Sequence, residues 1–468
     1  MLRLLQSKKF KIFVFLFLLA LLARLFFFGS MLSHYGPGSF YLANSGAPLT
    51  VNDSMNYVVI AKNLVERGAY SRFVDPPYDP DSFRTPLLPL YFVPFVYFFG
   101  VGGITLAVLL LTVIVSFTGV AAYSLARLFL SYTLSVWAGV LVAVEPLLAY
   151  RSNIAEPDAL IVLLLTVALY YFVLYWRDRK PRYLYLTFIL LSLLTLAKPL
   201  GAGLLALLLS ASIVVWMAKK TPCAQTARLI GVSVCIVVLL LGPWLYRNER
   251  VFGVWGLSSV GAYNLYNYYT ASLAPDNESL PQYARVDQDP LRNLANAHEL
   301  TRIAVGRIAQ NPDGYVRLHL LGIVRNVLAS DLPAFYHHKQ LKLLPFAYDP
   351  VNQVNLSDVA LKGDLKALVR IVLTADNVGF VARHVFFILF YLLVIVAWIK
   401  SYRAHRKTFW SFTLFLVLTC YFIFTAGTFV DAKYRLPAVS LLVIMFLYFF
   451  DRTGEGVQKE FALYPHIT

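Results

Sequence analysis

Asp53 is a lone carboxylate at the mouth of a short helical pattern within the stretch 47–70. Tyr57, Ala61 and Leu64 follow it at helical spacing, and Gly68 supplies the stop. One positioned carboxylate can remove a proton from an acceptor hydroxyl. The same residue in the same place can also cap a helix, taking backbone N–H groups on its oxygen, and the residues alone leave both readings open. Glu156 and Asp158 flank Pro157 in Ala155-Glu-Pro-Asp158. Two acids so spaced suit a cation or a polar substrate, and equally suit a helix start with proline at its first position. Lys198 lies in Thr195-Leu-Ala-Lys-Pro-Leu200, between two apolar runs. A lysine there is costly unless paired or wet; it can meet a phosphate or snorkel to the headgroups. Arg435, in Asp431-Ala-Lys-Tyr-Arg-Leu-Pro437, offers a fork for a phosphate or an anchor at the headgroups, and Arg84, before Thr85-Pro86, is a similar case. Arg247 and Asn248 follow Gly242-Pro-Trp-Leu-Tyr246, where Trp244 and Tyr246 fit an interfacial anchor.

The elements that must carry these residues are apolar. Hydrophobic residues make up 59% of the chain and charged residues 14%, against about 25% charged in a soluble globular chain. This is an all-α polytopic membrane protein by composition. The formal charge of +16 is distributed in clusters between apolar runs. That is a topology signal and excludes nucleic acid as the partner, because no soluble basic domain exists to bind it. The three cysteines, Cys223, Cys235 and Cys420, have no metal-ligand spacing, and the long polar segment holds none, so no disulfide framework is expected.

A span needs roughly 20 apolar residues. Ten are expected, near 10–29, 104–126, 132–149, 158–176, 183–197, 199–218, 229–246, 381–399, 409–427 and 436–450. The first reads as an uncleaved span, not a removable signal. Basic clusters at 3–11, 177–182, 219–228 and 400–407 all fall on the cytoplasmic side if an even number of spans separates them. That requires two spans between Arg182 and Lys219, with the break at Lys198-Pro199. Both termini are then cytoplasmic in the inner (plasma) membrane. Residues 1–246 form a transmembrane module with a first outer loop at 30–103, 247–380 an outer and mostly helical domain, and 381–468 the last spans and a short tail. Amphipathic helices are expected over 291–310, 313–329 and 361–373. The piece from Phe83 to Phe99, interrupted by Pro86, Pro89 and Pro94, is too broken for a clean span and is expected along the interface. On this topology Asp53, Arg84, Glu156, Asp158, Lys198, Arg247 and Arg435 all map to the outer face, from separate helix ends.

Taken in order, these landmarks resemble the GT-C membrane glycosyltransferases, in particular the branch with the protein O-mannosyltransferases and the lipid A aminoarabinose transferase. The matching residues are Asp53 with Tyr57, Ala61, Leu64, Gly68 and Tyr70, then Arg84-Thr-Pro-Leu-Leu-Pro89, Glu156, Lys198-Pro199, Pro243-Trp244 with Arg247-Asn248, and Tyr434-Arg-Leu-Pro437. The resemblance implies a polyprenyl-phosphate sugar donor and an inverting transfer at the outer face, to a glycolipid, polysaccharide or protein acceptor. It implies Asp53 as general base, and Arg84, Lys198 and Arg435 with Tyr434 at the donor phosphate. Glu156 and Asp158 match an acidic outer-loop motif that binds a divalent metal in some GT-C enzymes. Many relatives carry Asp-Glu where this chain has Asp53-Ser54, which puts a second carboxylate role there, and metal dependence, in doubt. The alternative is a lipid or polar-solute transporter or flippase. A transporter places charges near the bilayer midplane on broken helices in paired repeats, whereas 104–126, 229–246 and 409–427 hold no charge before their ends.

Overall fold

The computed structural model describes residues 8–36, 52–218, 222–275, 278, 281–328, 378–404, 406–428 and 431–451. Among these there is no strand. The all-α expectation therefore stands, and the helices divide into two compact units, one running to Arg307 and one from Ile308 to Arg452.

The first unit opens with α1 (Lys8–Tyr35), followed by α2 (Asn52–Arg67), α3 (Leu87–Phe99), α4 (Gly103–Val115), α5 (Thr118–Ala126), α6 (Tyr132–Ala143), α7 (Pro146–Arg151) and α8 (Asp158–Asp178). It continues with α9 (Pro181–Ala197), α10 (Gly201–Ala218), α11 (Cys223–Phe252), α12 (Val260–Asn264) and α13 (Ala297–Gln310), which crosses into the second unit. Helix α1 packs on α5, α6 and α7, α8 on α5 and α9, and α11 on α9. In the second unit, α14 (Pro312–Leu328), α15 (Val378–Ala404), α16 (Arg406–Ala426) and α17 (Val439–Phe450) pack together. Gly322 on α14 is forced small, since a Cβ there would lie 2.1 Å from the Gly427 carbonyl oxygen. The Lys400 ammonium receives the C-terminal carbonyls of α17, donating to Phe449 and Asp451 at 3.2 and 2.6 Å, as a cation at a negative helix end should.

Among the described residues seven stretches are long and apolar enough to cross a membrane: Lys8–Ser33, Gly103–Ala126, Asp158–Asp178, Cys223–Phe252, Val385–Ala404, Thr408–Ala426 and Ala432–Phe450. Three of the ten expected spans are shorter. The one expected at 132–149 is interrupted by Glu145-Pro146, where the Glu145 carboxylate accepts the Leu148 N–H at 2.5 Å and starts α7. The expected break at Lys198-Pro199 is present. Lys198 is extended, at φ −152° and ψ 129°, because the residue before a proline is pushed out of the α region. The proline-rich piece, expected to be too broken for a span, is continuous helix from Leu87 to Phe99 with Pro94 inside it. Tyr91 turns inward to donate to the Ala107 carbonyl at 2.8 Å, and Gly103 lets α4 approach so closely that a Cβ would meet the Phe95 carbonyl at 2.3 Å.

The amphipathic helix expected from 291 begins later, as α13, after two 3-10 turns at Pro290–Arg292 and Leu294–Asn296. Helix α14 matches its expectation; 361–373 lies outside the described residues.

One charge sits well inside a span among the described residues. Arg24 of α1 is fully buried. Its Nε donates to Ser152 Oγ at 3.1 Å and its Nη1 to the Ala20 and Ala143 carbonyls, both at 3.0 Å. These carbonyls belong to helical turns, so Arg24 serves as a stitch between α1 and the 143–152 link.

Candidate active site

Helix α2 presents the site because of how it starts and stops. It ends at Gly68, whose φ of 66° is the left-handed stop expected of a glycine. Tyr57, Ile60 and Ala61 are buried, and the Asn63 amide donates to the Ser71 and Phe73 carbonyls at 2.8 Å, folding the chain back after the stop. The N-terminal turn, with Asp53, is left at an open rim.

Asp53 accepts from the Arg84 guanidinium. The Asp53 side chain is 43% exposed and that of Arg84 only 9%, so the pair is buried on the arginine side and open on the acid side. The Arg84 guanidinium lies over Tyr57 at 5.1 Å and over Phe83 at 4.7 Å. Desolvation lowers the Arg84 pKa, but Tyr57 and the charge and hydrogen bond of Asp53 outweigh it, and the net shift is upward. Burial pushes the Tyr57 hydroxyl up; Arg84 and Lys198 oppose that, and Asp53 and Glu156 reinforce it.

Arg84 is fixed from its backbone. Its N–H donates to Asp81 Oδ2 at 2.8 Å, and its carbonyl accepts the Tyr70 hydroxyl at 3.0 Å. Asp81 is fully buried and also accepts from Arg72, which donates in turn to Asp289 at 2.9 Å. Arg247 donates to the Asp81 carbonyl at 2.7 Å and to Asn248 Oδ1 at 2.8 Å, with its guanidinium over Tyr70, Trp244 and Phe252. Arg247 therefore holds the loop at Asp81, and Trp244 is buried with its indole N–H on the Leu257 carbonyl, not spread at an interface.

The acidic motif lies on the same unit. Glu156 takes the Ser54 hydroxyl at 3.4 Å and Arg151 at 3.5 Å. Asp158 opens α8 and accepts the Lys198 ammonium at 2.8 Å. Ser54, standing where many relatives carry a second acid, thus faces an acid supplied by another element. The pair does not fit a metal site as it stands: each carboxylate already faces a cation, and no group of three His, Cys, Asp or Glu side chains converges among the described residues.

The structure therefore brings Asp53, Arg84, Glu156, Asp158, Lys198 and Arg247 together in one unit. Arg435 and Tyr434 belong to the other. There Arg435 donates to the Val327 carbonyl at 2.8 Å and lies over Phe387 at 4.2 Å, and Tyr434 ends a 3-10 turn.

Sequence reasoning passed over Asp81, Arg72, Asp289, Arg151, Tyr268 and Arg24. Arg24 carried a signal of its own, a lone arginine inside an apolar run. Asp81, Arg72 and Asp289 carried none: Arg72 and Asp81 lie nine residues apart in a loop with no regular period, and Asp289 is 217 residues from Arg72.

The structure defines a multi-pass, all-helical membrane protein with a charged site gathered at helix ends. Residues 84–246 match the family model described as dolichyl-phosphate-mannose-protein mannosyltransferase, within the group that the ordered landmarks resemble. No curated protein matches. Among solved structures the chain is similar to the oligosaccharyltransferase of Archaeoglobus fulgidus in the apo form, at 12% identity and a TM-score of 0.49. It is similar also to the archaeal oligosaccharyltransferase AglB from Archaeoglobus fulgidus in complex with an inhibitory peptide and a dolichol-phosphate, at 11% identity and a TM-score of 0.47. Both likenesses cover 94% of this chain and 50% of the other, so the chain spans about half the length of these structures.

Proposed function

We propose that this protein is a GT-C-type membrane glycosyltransferase. It moves a sugar from a polyprenyl-phosphate donor to an acceptor hydroxyl at the outer, periplasmic face of the inner membrane, with inversion and with Asp53 as general base. The observation that carries the reading is the half-exposed Asp53 carboxylate held by the buried Arg84 guanidinium, in the same unit as Glu156 and the Lys198–Asp158 pair. The matched family, named for a dolichyl-phosphate-mannose donor, supports the donor class. Basic clusters between the apolar runs support the orientation.

The acceptor oxygen attacks the anomeric carbon from the face opposite the phosphate. As the new C–O bond forms, the C–O bond to phosphate breaks, its electrons leave with the polyprenyl phosphate, and the acceptor proton passes to Asp53. A base of ordinary carboxylate strength suffices, because the leaving group is already near its final charge and the proton leaves as attack proceeds. Arg84 holds Asp53 in place. Lys198, at the helix break, 28% exposed and donating to Asp158 at 2.8 Å, is in this reading a cation that meets the leaving phosphate. A fixed cation at such a site stabilises developing charge without reorganising. The remaining expectation, phosphate contacts from Arg435 and Tyr434, is part of the same proposal.

Asp53→Asn keeps the shape and removes the base. With defined polyprenyl-phosphate sugars and candidate acceptors, transfer should fall by about 10²- to 10⁴-fold, while thermal unfolding in detergent stays close to that of the unsubstituted protein. Full transfer by this variant would remove the proposed base.

A further inference from the structure

A row of stacked rings leads outward from Arg84. The Arg84 guanidinium lies over Phe83, Phe83 meets Tyr263 edge-on at 5.3 Å, and Tyr263 meets Tyr268 edge-on at 5.6 Å. Phe83 and Tyr263 are buried, whereas Tyr268 is 43% exposed. A single exposed tyrosine means little by itself. This one is held. It sits on a π-helical turn, Leu265–Tyr269, a rare element concentrated at functional sites. Arg307 donates to the Tyr266 carbonyl at 2.8 Å and the Thr270 hydroxyl to the Leu265 carbonyl at 2.9 Å, so both ends of the turn are pinned. The Tyr263 hydroxyl beneath it accepts from Asn267 and from Arg292, each at 3.0 Å. Burial and the hydrogen bond with Tyr263 raise the Tyr268 hydroxyl pKa.

We propose that the exposed face of Tyr268, set edge-on against Tyr263 at the end of the row that leads back through Phe83 to Arg84 and its partner Asp53, is the acceptor subsite and takes the pyranose ring of a carbohydrate acceptor. The chemistry selects a sugar. Ring C–H bonds of a pyranose carry partial positive charge because each carbon bears oxygen, and an aromatic face is negative. Tyr, Asn and Arg groups around the ring suit a ring of hydroxyls. The inference rests on the reading of Asp53 as base, since it gives the acceptor its place, but its test is a binding measurement.

Saturation-transfer NMR on the full chain, in a sugar-free detergent, is run with methyl α-mannopyranoside, methyl β-glucopyranoside and a blocked Ser/Thr peptide as probes. Saturation should reach the ring protons of at least one pyranoside. It should persist in Tyr268→Phe and in Asp53→Asn, and weaken roughly tenfold in Tyr268→Ala. Three results overturn the subsite: no transfer to either pyranoside, transfer unchanged in Tyr268→Ala, or transfer to the peptide alone. Loss of sugar transfer from lipid-linked donors in every assay would remove the reading of Asp53 and leave the binding result standing, so the two failures are distinct.

Discussion

A carboxylate proposed as base must be reachable and held in place, and Asp53 is half-exposed and gripped by the buried Arg84. The same logic applies to Lys198. It faces Asp158, whose side chain is buried, so deleting the lysine leaves a buried charge without its partner as well as removing a cation. Lys198→Ala should lose about 1–3 kcal/mol of stability, less than a fully buried pair because the lysine is partly exposed, and should reduce transfer by roughly 10²-fold. Adding Asp158→Asn should restore the unfolding temperature and leave transfer low. Recovery of both would make the pair purely structural. Asp53 looks like a helix cap from sequence as much as like a base, because a first-turn acid suits both; the structure adds its pairing with the Arg84 guanidinium, which the sequence does not indicate.

Among the elements, the π-helical turn shows how a local irregularity is held by distant charge. Arg307, near the end of α13, grips Glu278 with Nη2 at 2.5 Å and Nε at 2.9 Å while holding the Tyr266 carbonyl. The hydrogen bond from Arg307 lowers the Glu278 pKa below its ordinary value, against the opposing effect of burial. A depressed carboxylate pKa adds stability that is fully present above the unfolded value and is lost as pH falls through the folded one. Glu278→Gln should therefore cost about 1–3 kcal/mol at neutral pH, and the difference from the parent protein should shrink as the pH is lowered through the carboxylate range. Thermal unfolding followed at a series of pH values checks it; a constant difference would mean that charge plays no part. Elsewhere, local sequence was enough to locate the breaks. Gly68 and Lys198-Pro199 stop helices where expected, since a left-handed glycine and an X-Pro step act over one or two residues.

For the whole first unit, Asp81 is the knot. Its carboxylate joins Arg72 to the Arg84 backbone, its carbonyl takes Arg247 of α11, and Arg72 reaches Asp289. Around it, Ser82 Oγ accepts the Leu294 N–H at 2.9 Å and the Ser258 hydroxyl donates to the Phe83 carbonyl at 2.7 Å. The loop carrying Arg84 is thus strapped to segments nearly two hundred residues later. Asp81→Ala strands Arg72 beside a buried site and should cost about 3–5 kcal/mol. A cycle with Asp289→Ala should show strong non-additivity in unfolding free energy, because both acids share one guanidinium. Additive losses would separate the two contacts.

The amino-acid sequence by itself determined the class of solvent, the helical period, the apolar runs, the helix stops and the set of residue types from which a site can be drawn. These follow from composition and from interactions within a few residues of each other, which chain connectivity already brings into contact. The tertiary structure decided which cation meets which acid: Arg84 with Asp53, Lys198 with Asp158, Arg72 with Asp81 and Asp289. It also decided that Arg247 braces a loop and that 132–149 does not form one span. Pairings of this kind depend on how helices pack across long stretches of chain, and no periodicity along the chain encodes a partner so far away.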